Sequence, residues 1–359
     1  MKKLTTFLFS LLTVLAFAQS PEADSTNINK DSLFIIQKMM QQKAQVIYNG
    51  GITLVKANNY EGALDSFSKA INLDSNFAKA YYNRGFVYNK LHKKNEAIAD
   101  YTKAIDIDSA YGNAYYRRGI IYENMGKKKN AYKDFTRSIK YNPKNTRARY
   151  HRACIYFEGG KYKKAIKDFD KVILVKRNDA YAYNDRGSAK MKLKNYSGAI
   201  ADYQLAIKYD PKLALAYNNL GSVQKKSKQY KAALASYTKA IELNPKYAIA
   251  YNNRGSVKQE LKQYKAAIED FSAAIKIDSK YKFAYNNRGS AYYELYKYEE
   301  AEKDFNKAIA LDPKYGYAYL NRGILKEMQR KPDAACQDWK RAKSLGVNVG
   351  GRYVKNQCK

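Results

Sequence analysis

The sequence predicts an all-α fold, a solenoid of stacked helix pairs, and three observations support this prediction. One pattern recurs every 34 residues, and a fixed period of this length is typical of supersecondary units that contact mainly their neighbours. Apolar residues inside the pattern follow helical spacing, and no segment shows the alternation typical of a strand. Glycines mark the register, with Ala153 in the one gap: Gly51, Gly85, Gly119, Gly187, Gly221, Gly255, Gly289 and Gly323.

Each unit of the pattern predicts two helices. The second helix opens on alanine, carries an aromatic residue four positions later and a small residue three positions after that, as in Ala97, Tyr101 and Ala104. Small residues allow two helices to approach closely, and the aromatic rings fill the space beside them. Phrases such as Leu-Asp-Pro then end the second helix, because proline cannot continue it. We therefore expect eighteen repeat helices plus end caps.

These features resemble the tetratricopeptide repeat (TPR), a pair of antiparallel helices. All nine units carry the alanine and the aromatic residue that this family places in its second helix, and seven carry its early first-helix tyrosine; Ile47 and Arg149 depart from it. The resemblance implies a right-handed α-solenoid superhelix of about nine helix-turn-helix TPR units with helical end caps. It also implies a concave groove lined by the first helices. The units span 44–77, 78–111, 112–145, 146–179, 180–213, 214–247, 248–281, 282–315 and 316–349.

The start of the chain predicts a secretory signal peptide over residues 1–18. Two lysines precede an apolar run, and Ala16-Phe17-Ala18 is a small-x-small cleavage site before Gln19. The run is short for a membrane anchor, and the mature chain holds no other apolar stretch of spanning length. We therefore expect a secreted or periplasmic protein, cleaved near Ala18. Around the repeats we expect a disordered leader (19–30), an N-terminal capping helix (31–43) and a C-terminal cap or tail (350–359).

Arginine and aspartate recur together sixteen residues apart in seven units. The two units that lack the arginine have Gly50 and Leu220 there, and both also lack the aspartate, with Ser66 and Ser236 in its place. This joint presence and absence predicts a structural Arg–carboxylate pair between the two helices of a unit, in preference to a ligand site. We expect exposed pairs, worth about 0–1 kcal/mol each. The pairs are Arg84–Asp100, Arg118–Asp134, Arg152–Asp168, Arg186–Asp202, Arg254–Asp270, Arg288–Asp304 and Arg322–Asp338.

The first-helix positions that should face the groove change character halfway along the chain. Counted from the first residue of each unit, slot 5 is tyrosine in the first four units and asparagine in the next four, and slot 9 changes from apolar residues or cysteine to serine. Slot 6 is asparagine in six units. The candidate groove residues are Asn218, Asn219, Asn252, Asn253, Asn286, Asn287, Asn321, Ser222, Ser256, Ser290, Tyr82, Tyr116, Phe283 and Tyr317.

Stacked asparagines would form a ladder along this groove. Amide side chains both donate and accept hydrogen bonds, so a ladder can hold an extended peptide by its backbone. This arrangement is similar to the inner surface of the repeat domain of O-linked N-acetylglucosamine transferases, whose catalytic domain this chain lacks. The alternative is that asparagine is simply a common soluble choice in the repeat.

The chain is strongly basic, with 66 Lys+Arg against 33 Asp+Glu and a net charge of +33. Positive and negative residues nearly balance in the groove slots, so most of the excess falls on second helices and turns, as in Lys127-Lys128-Lys129. One interpretation is a solvated face that keeps the protein soluble. The other is docking to an anionic envelope polymer or membrane surface. Nucleic acid is not an expected partner of a secreted protein.

The three cysteines are interpreted as structural residues. Cys336 and Cys358 are candidates for a disulfide that pins the tail over the last repeat, since secretion permits disulfides; the bridge would contribute about 3 kcal/mol. Cys154 is interpreted as a packing residue.

The sequence gives no sign of a catalytic site. The two histidines, His92 and His151, lie in different units, and no nucleophile–base pair, metal-ligand cluster or phosphate-binding loop appears. We therefore expect no enzymatic activity, cofactor or metal.

The sequence thus predicts a non-enzymatic protein–protein interaction scaffold of the cell envelope, which binds an extended partner segment in the concave TPR groove. The alternative is a surface-docking protein that binds an anionic envelope polymer or a membrane through its basic outer face. A third interpretation is an architectural homo-oligomer with no outside ligand.

Overall fold

The structure, a computed structural model, describes residues 30–358 and divides into two compact units at the bond between Pro143 and Lys144. The predicted signal peptide (1–18) and nearly all of the predicted leader (19–30) lie outside the described residues. The all-α prediction is confirmed, because the described residues form nineteen helices in consecutive helix-turn-helix pairs and contain no strand. None of these helices is long and apolar enough to cross a membrane.

The first unit contains three helix pairs. Its helices are α1 (Lys30–Lys56), α2 (Tyr60–Leu73), α3 (Ala78–Lys90), α4 (Lys94–Ile107), α5 (Gly112–Asn124) and α6 (Lys128–Tyr141). In α1 the expected capping helix (31–43) runs directly into the first helix of the first repeat. No proline or glycine lies near their junction at Lys43 and Ala44 to end a helix there.

The second unit contains six helix pairs and one final helix. The pairs are α7 (Thr146–Glu158) and α8 (Tyr162–Val175), α9 (Ala180–Lys192) and α10 (Tyr196–Tyr209), α11 (Ala214–Lys226) and α12 (Tyr230–Leu243), α13 (Ala248–Glu260) and α14 (Tyr264–Ile277), α15 (Lys282–Glu294) and α16 (Tyr298–Leu311), α17 (Gly316–Met328) and α18 (Pro332–Ser344). The final helix, α19 (Asn348–Gln357), begins just before the expected C-terminal cap (350–359).

One residue with a left-handed backbone closes the turn inside every helix pair. After α3 this residue is His92 (φ 60°); the next backbone N–H, of Lys93, donates to the carbonyl of Tyr88 at 2.9 Å. Glycine takes this conformation without strain, whereas other residues lose about 1 kcal/mol. Two of the nine turns use glycine: the residues are Asn58, His92, Gly126, Gly160, Lys194, Lys228, Lys262, Tyr296 and Arg330.

The glycine that marks the register lies where the two helices of a pair approach most closely. At Gly255 of α13, an added Cβ would lie 2.8 Å from Cε1 of Phe271 in α14. Phe271 is fully buried, as are Ala267 and Ala274 on the same helix. The second-helix aromatic ring therefore packs directly against the first-helix backbone, and it fills the interior of the pair.

Each predicted Arg–Asp pair is hydrogen bonded, and most of the arginines also reach the preceding second helix. Arg288 of α15 donates from Nε and Nη2 to the Asp304 carboxylate at 2.7 and 2.8 Å, and from Nη1 to Ser272 Oγ of α14 at 3.0 Å. Six other pairs make the same bidentate contact at 2.6–2.9 Å: Arg84–Asp100, Arg118–Asp134, Arg152–Asp168, Arg186–Asp202, Arg254–Asp270 and Arg322–Asp338.

These pairs differ from expectation in their burial. We expected exposed pairs, but the seven aspartates are only 2–6% exposed, because the helices of the pair close over them. The guanidinium of Arg288 also lies against the rings of Tyr285 and Tyr292, with centroids 5.7 and 5.8 Å away. The hydrogen bond to Asp304 raises the pKa of Arg288 above its ordinary value. Removal of the arginine would therefore leave a buried carboxylate without its cation, which costs about 3–5 kcal/mol.

The last helix caps the end of the second unit. Tyr353 of α19 stacks on Trp339 of α18 with ring centroids 4.6 Å apart, and Val347 is buried against the same cluster. A disulfide joins Cys336 of α18 to Cys358, with the two Cα atoms 5.6 Å apart. The final helix is thus held both by apolar packing and by a covalent link.

One buried hydroxyl of the first unit lacks a hydrogen bond. Tyr203 and Tyr237 each meet a slot 9 serine hydroxyl at 3.1 Å, from Ser188 and Ser222. In the second repeat slot 9 is Phe86, and the Tyr101 hydroxyl is buried with no hydrogen-bond partner among the described residues. Burial raises the pKa of Tyr101 above its ordinary value.

Replacement of Tyr101 by phenylalanine should stabilise the protein by about 1 kcal/mol, because it removes a buried polar group that has no partner. The matched variant Tyr237→Phe should lower stability by about 1 kcal/mol, because it deletes a hydrogen bond to Ser222. Urea unfolding of both variants measures the two signs. Destabilisation by Tyr101→Phe would contradict the prediction.

The Arg288–Asp304 pair should show strong coupling in a double-mutant cycle. Arg288→Leu alone should cost about 3–5 kcal/mol, because Asp304 stays buried and charged. The double variant Arg288→Leu/Asp304→Ser should recover much of this loss, because the sixth repeat already contains Leu220 and Ser236 at these positions. Denaturant unfolding gives the coupling energy, which we expect to exceed about 1 kcal/mol. Additive effects of the two substitutions would show that the pair is not coupled.

Candidate partner-binding groove

The first helices of the second unit form a continuous row. Each of α7, α9, α11, α13 and α15 contacts both its own second helix and the next first helix, so the row ends at α17. Slots 2, 6 and 9 are separated by four and three residues, so their side chains lie on one face of each helix. We call this row of faces the groove.

An exposed apolar side chain occupies slot 2 of five successive first helices. These residues are 37–57% exposed, although all are apolar or aromatic: Tyr181, Leu215, Ile249, Phe283 and Tyr317. We call them the apolar strip. Phe283 and Tyr317 join a run of rings through Tyr315, with centroids 5.2 and 6.2 Å apart. An exposed apolar row of this kind is a candidate contact surface.

The predicted asparagine ladder exists as a set of hydrogen bonds between repeats. A slot 6 amide nitrogen donates to the slot 5 amide oxygen of the preceding repeat, four times in succession and always at 3.0 Å. The donor–acceptor pairs are Asn219–Asn184, Asn253–Asn218, Asn287–Asn252 and Asn321–Asn286. We call these eight residues the amide ladder. It joins adjacent first helices at one point per repeat.

The two rows of the amide ladder differ in accessibility. We expected slot 5 to be exposed, but Asn184, Asn218, Asn252 and Asn286 are only 1–7% exposed, because each accepts a hydrogen bond from the next repeat. The slot 6 asparagines are half-buried. Of the candidate groove asparagines, the slot 6 residues can therefore meet a ligand, whereas the slot 5 amides lie beneath them.

Part of the ladder is a chain of hydrogen bonds that runs in one direction. Asn253 donates to Asn218 at 3.0 Å, Asn218 to Asn219 at 3.4 Å, and Asn219 to Asn184 at 3.0 Å. Asn184 then donates to the carboxylate of Asp185 at 2.9 Å. Consecutive hydrogen bonds polarise one another. The donor groups of this hydrogen-bond series all point towards Asp185.

The candidate serines bind within the protein. Ser222 donates to the carbonyl of Asn218 at 2.9 Å, and Ser290 donates to that of Asn286 at 3.0 Å. Ser256 accepts a hydrogen bond from Lys225, whose pKa is lowered by burial. The hydroxyls of these three serines are therefore engaged within the protein, where they stabilise the first helices beneath the groove surface.

The candidate tyrosines of the first unit are packed against neighbouring rings. Tyr82 lies 5.6 Å from Tyr101 and 5.0 Å from Tyr111 between ring centroids, and Tyr116 lies 6.2 Å from Phe135. Both tyrosines are half-buried. Their rings fill the space that smaller amides occupy in slot 5 of the second unit.

A cavity opens in the groove where tyrosine gives way to asparagine in slot 5. Its volume is about 320 Å³, and its lining includes Phe157, Phe169 and Leu215 together with Glu158, Asp185 and Asn219. We call it the groove pocket. Tyr150 donates a hydrogen bond to the Asp185 carboxylate. Burial raises the pKa of Asp185 above its ordinary value, and the hydrogen bonds from Tyr150 and Asn184 oppose this rise.

Two parts of this arrangement were missed from the sequence. The residue sixteen positions before each paired arginine always has an oxygen in its side chain. Thr238 is an example, since its hydroxyl accepts a hydrogen bond from Arg254 at 3.1 Å. That regularity could have revealed the link to the preceding repeat. The groove pocket had no periodic signal, because it arises at a single place where two slot patterns meet.

The described residues contain no group of three or more His, Cys, Asp or Glu side chains that could hold a metal ion. The groove offers a long apolar and amide surface that includes the groove pocket, an arrangement suited to binding a chain.

Sequence profiles described as "Tetratricopeptide repeat" match residues 78–111, 112–145, 146–179, 214–247, 248–281 and 283–315, and one described as "TPR repeat" matches 51–91 and 187–228. Together these matches cover more than half of the chain. The chain belongs to the tetratricopeptide repeat family. About nine repeats agree with the nineteen helices, so the recognition of tandem TPR units is confirmed.

Three solved structures are similar to this chain at low sequence identity. A tetratricopeptide repeat protein from Parabacteroides merdae is 18% identical with a TM-score of 0.58, over 69% of this chain and 99% of that one. Yeast Tom70 is 14% identical with a TM-score of 0.47, over 88% and 95%. YrrB, described as a TPR protein with an unusual peptide-binding site, is 22% identical with a TM-score of 0.41, over 52% and 97%. The likeness to the Parabacteroides merdae protein shows the fold alone. No curated protein matches the sequence.

Proposed function

We propose that this TPR protein is a non-enzymatic interaction scaffold whose second unit binds an extended segment of a partner protein along the groove. The TPR family is typically a non-enzymatic interaction module, which supports the general role. The observation that carries the specific proposal is the apolar strip, which repeats once per helix pair beside one half-exposed slot 6 residue, an asparagine in four of the five pairs.

The apolar strip and the slot 6 asparagines supply complementary contacts to an extended chain. Burial of exposed apolar surface contributes about 25 cal/mol per Å², and aromatic residues such as Phe283 and Tyr317 are typical anchors of interfaces. An asparagine amide has two donor hydrogens and one acceptor oxygen. In Asn253 one hydrogen binds the preceding repeat, and the remaining groups can bind a peptide backbone. Asn321 donates both hydrogens to the preceding repeat, so its amide oxygen is the group that can accept from a peptide.

The repeat spacing sets the form of the partner segment. Packed helices lie about 8–10 Å apart, and an extended chain advances about 3.3 Å per residue. A partner would therefore place an apolar side chain on the strip about every third residue. A segment of about thirteen residues would span the five strip positions.

The triple variant Ile249→Ser/Phe283→Ser/Tyr317→Ser should bind at least about ten-fold more weakly, because it removes three apolar contacts of the strip. Peptides selected from a random fifteen-residue display library on the immobilised mature chain provide the ligand, and fluorescence anisotropy measures the affinity. The triple variant Leu174→Ser/Val175→Ser/Ile277→Ser is the matched control, because these exposed apolar residues lie on second helices.

Three results would contradict the groove proposal. They are failure of the library to yield any binder, equal weakening by both triple variants, and binding that disappears when salt is raised yet is unaffected by the strip variant. The last result would place binding on exposed lysines, whose interactions are screened by salt. Thermal unfolding of each variant checks that the fold is retained.

We propose further that the chain functions in the periplasm or outside the cell. The support is the leader pattern of residues 1–18 together with the Cys336–Cys358 disulfide, a bond that persists in oxidising compartments. This placement sets the proposed scaffold in the cell envelope.

Expression of the full chain in a bacterial host should give a periplasmic product that begins at Gln19 and is oxidised at Cys336 and Cys358. Mass spectrometry before and after thiol alkylation measures both properties. Cys336→Ser/Cys358→Ser should lower the free energy of unfolding by about 3 kcal/mol, because the bridge constrains the unfolded chain. An uncleaved product, or reduced thiols after export, would contradict the placement.

A further inference from the structure

Asp185, in slot 6 of α9, differs from the seven aspartates that are buried inside the helix pairs. Each of the seven repeated aspartates binds an arginine, whereas no lysine or arginine of the described residues forms an ion pair with Asp185. Its two hydrogen-bond donors, Tyr150 and Asn184, are neutral. In a chain with a net charge of +33, a half-buried carboxylate without a cation is an unbalanced charge.

The groove pocket surrounds this carboxylate with apolar walls. Phe157, Phe169 and Leu215 line the cavity, and Glu158 adds a second carboxylate at its exposed rim. A volume of about 320 Å³ lies at the small end of ligand pockets, so one long side chain fits better than a large ligand. Leu215 also belongs to the apolar strip, so the pocket opens directly onto the surface where the partner segment would lie.

We propose that the groove pocket binds one lysine or arginine side chain of the partner segment, an assignment that rests on the proposed function of the groove. The aliphatic stem packs against Phe157, Phe169 and Leu215, as long basic side chains do when they cover apolar surface. The charged end binds Asp185 and Glu158, and hydrogen bonds between charged groups are stronger than neutral ones.

The pocket discriminates against other side chains. An acidic residue would meet two carboxylates, and a purely apolar residue would bury Asp185 further without neutralising it. The amide ladder does not supply the missing charge, because Asn184 and Asn219 are neutral. The partner segment is thus expected to carry apolar residues along the strip and a single basic residue at the position that meets α9.

The substitution Asp185→Asn tests the charge with little change in shape. An asparagine in slot 6 next to a tyrosine in slot 5 already occurs in this chain, where Asn83 donates to the Tyr48 hydroxyl at 2.7 Å. The variant should therefore fold, and thermal unfolding checks this. Glu260→Gln is the matched control, because it removes the same charge from an exposed end of the first helix α13, outside the pocket.

The experiment uses random fifteen-residue peptides displayed on phage and panned on the immobilised mature chain at physiological salt. Wild type and Glu260→Gln should enrich peptides that carry one lysine or arginine at a fixed distance from apolar residues. Replacement of that lysine by norleucine in a selected peptide should weaken binding to wild type at least about ten-fold, and binding to Asp185→Asn less than about two-fold.

The outcomes separate this inference from the proposed function. Binders that depend on the apolar strip but lack a preferred basic residue, or an equal loss from norleucine in wild type and Asp185→Asn, would overturn the pocket assignment and leave groove binding intact. No binders at all would overturn both. Sedimentation showing that the chain self-associates and that Asp185→Asn alone abolishes the association would overturn the assignment to an outside partner.

Discussion

The Arg–Asp pair at the centre of seven of the nine helix pairs is the interaction on which the rest of the structure depends. Arg288 links its own first helix to Asp304 of the following helix and to Ser272 of the preceding one. One guanidinium therefore fixes the geometry within a repeat and the step to the previous repeat together. Because the aspartate is buried, the pair tolerates little displacement, so neighbouring pairs are held in a regular stack.

The amide ladder transmits that regularity to the first helices. Each of the four slot 6 asparagines in the ladder binds the slot 5 asparagine of the preceding repeat at the same distance. The spacing of the apolar strip is set by the same step, because slot 2 lies one helical turn from slot 6. Rigid spacing of this kind reduces the conformational cost of binding an extended segment.

The fold was predictable because the same physical requirement recurs in every unit. Nine copies of one pattern average out local exceptions, so the alanine and aromatic positions of the second helix and the Arg–Asp pair could be identified by their joint occurrence. Burial of the slot 5 asparagines could not be predicted in this way, because period alone does not show whether an amide faces solvent or the adjacent repeat. Asn252 and Asn253 are adjacent in sequence and chemically identical, yet one is buried and the other is half-buried.

The candidate site was predictable only in outline. The sequence indicated which residues line the first helices, and the apolar character of slot 2 was visible there. The groove pocket depends on Tyr150, Asp185 and Leu215 from three different repeats, and its position follows from the one junction between two slot patterns. Features that occur once carry no repeated signal, and such features are where a repeat protein acquires selectivity.

The disulfide at the last helix has a consequence for local opening of the chain. In a repeat stack each unit is stabilised mainly by its neighbours, so terminal units fray first. Cys358 is tied to Cys336 and Tyr353 stacks on Trp339, so the C-terminal repeat is restrained against fraying. Amide hydrogen exchange there should report opening that requires loss of several repeats together, and a protease should find few transiently exposed bonds at that end.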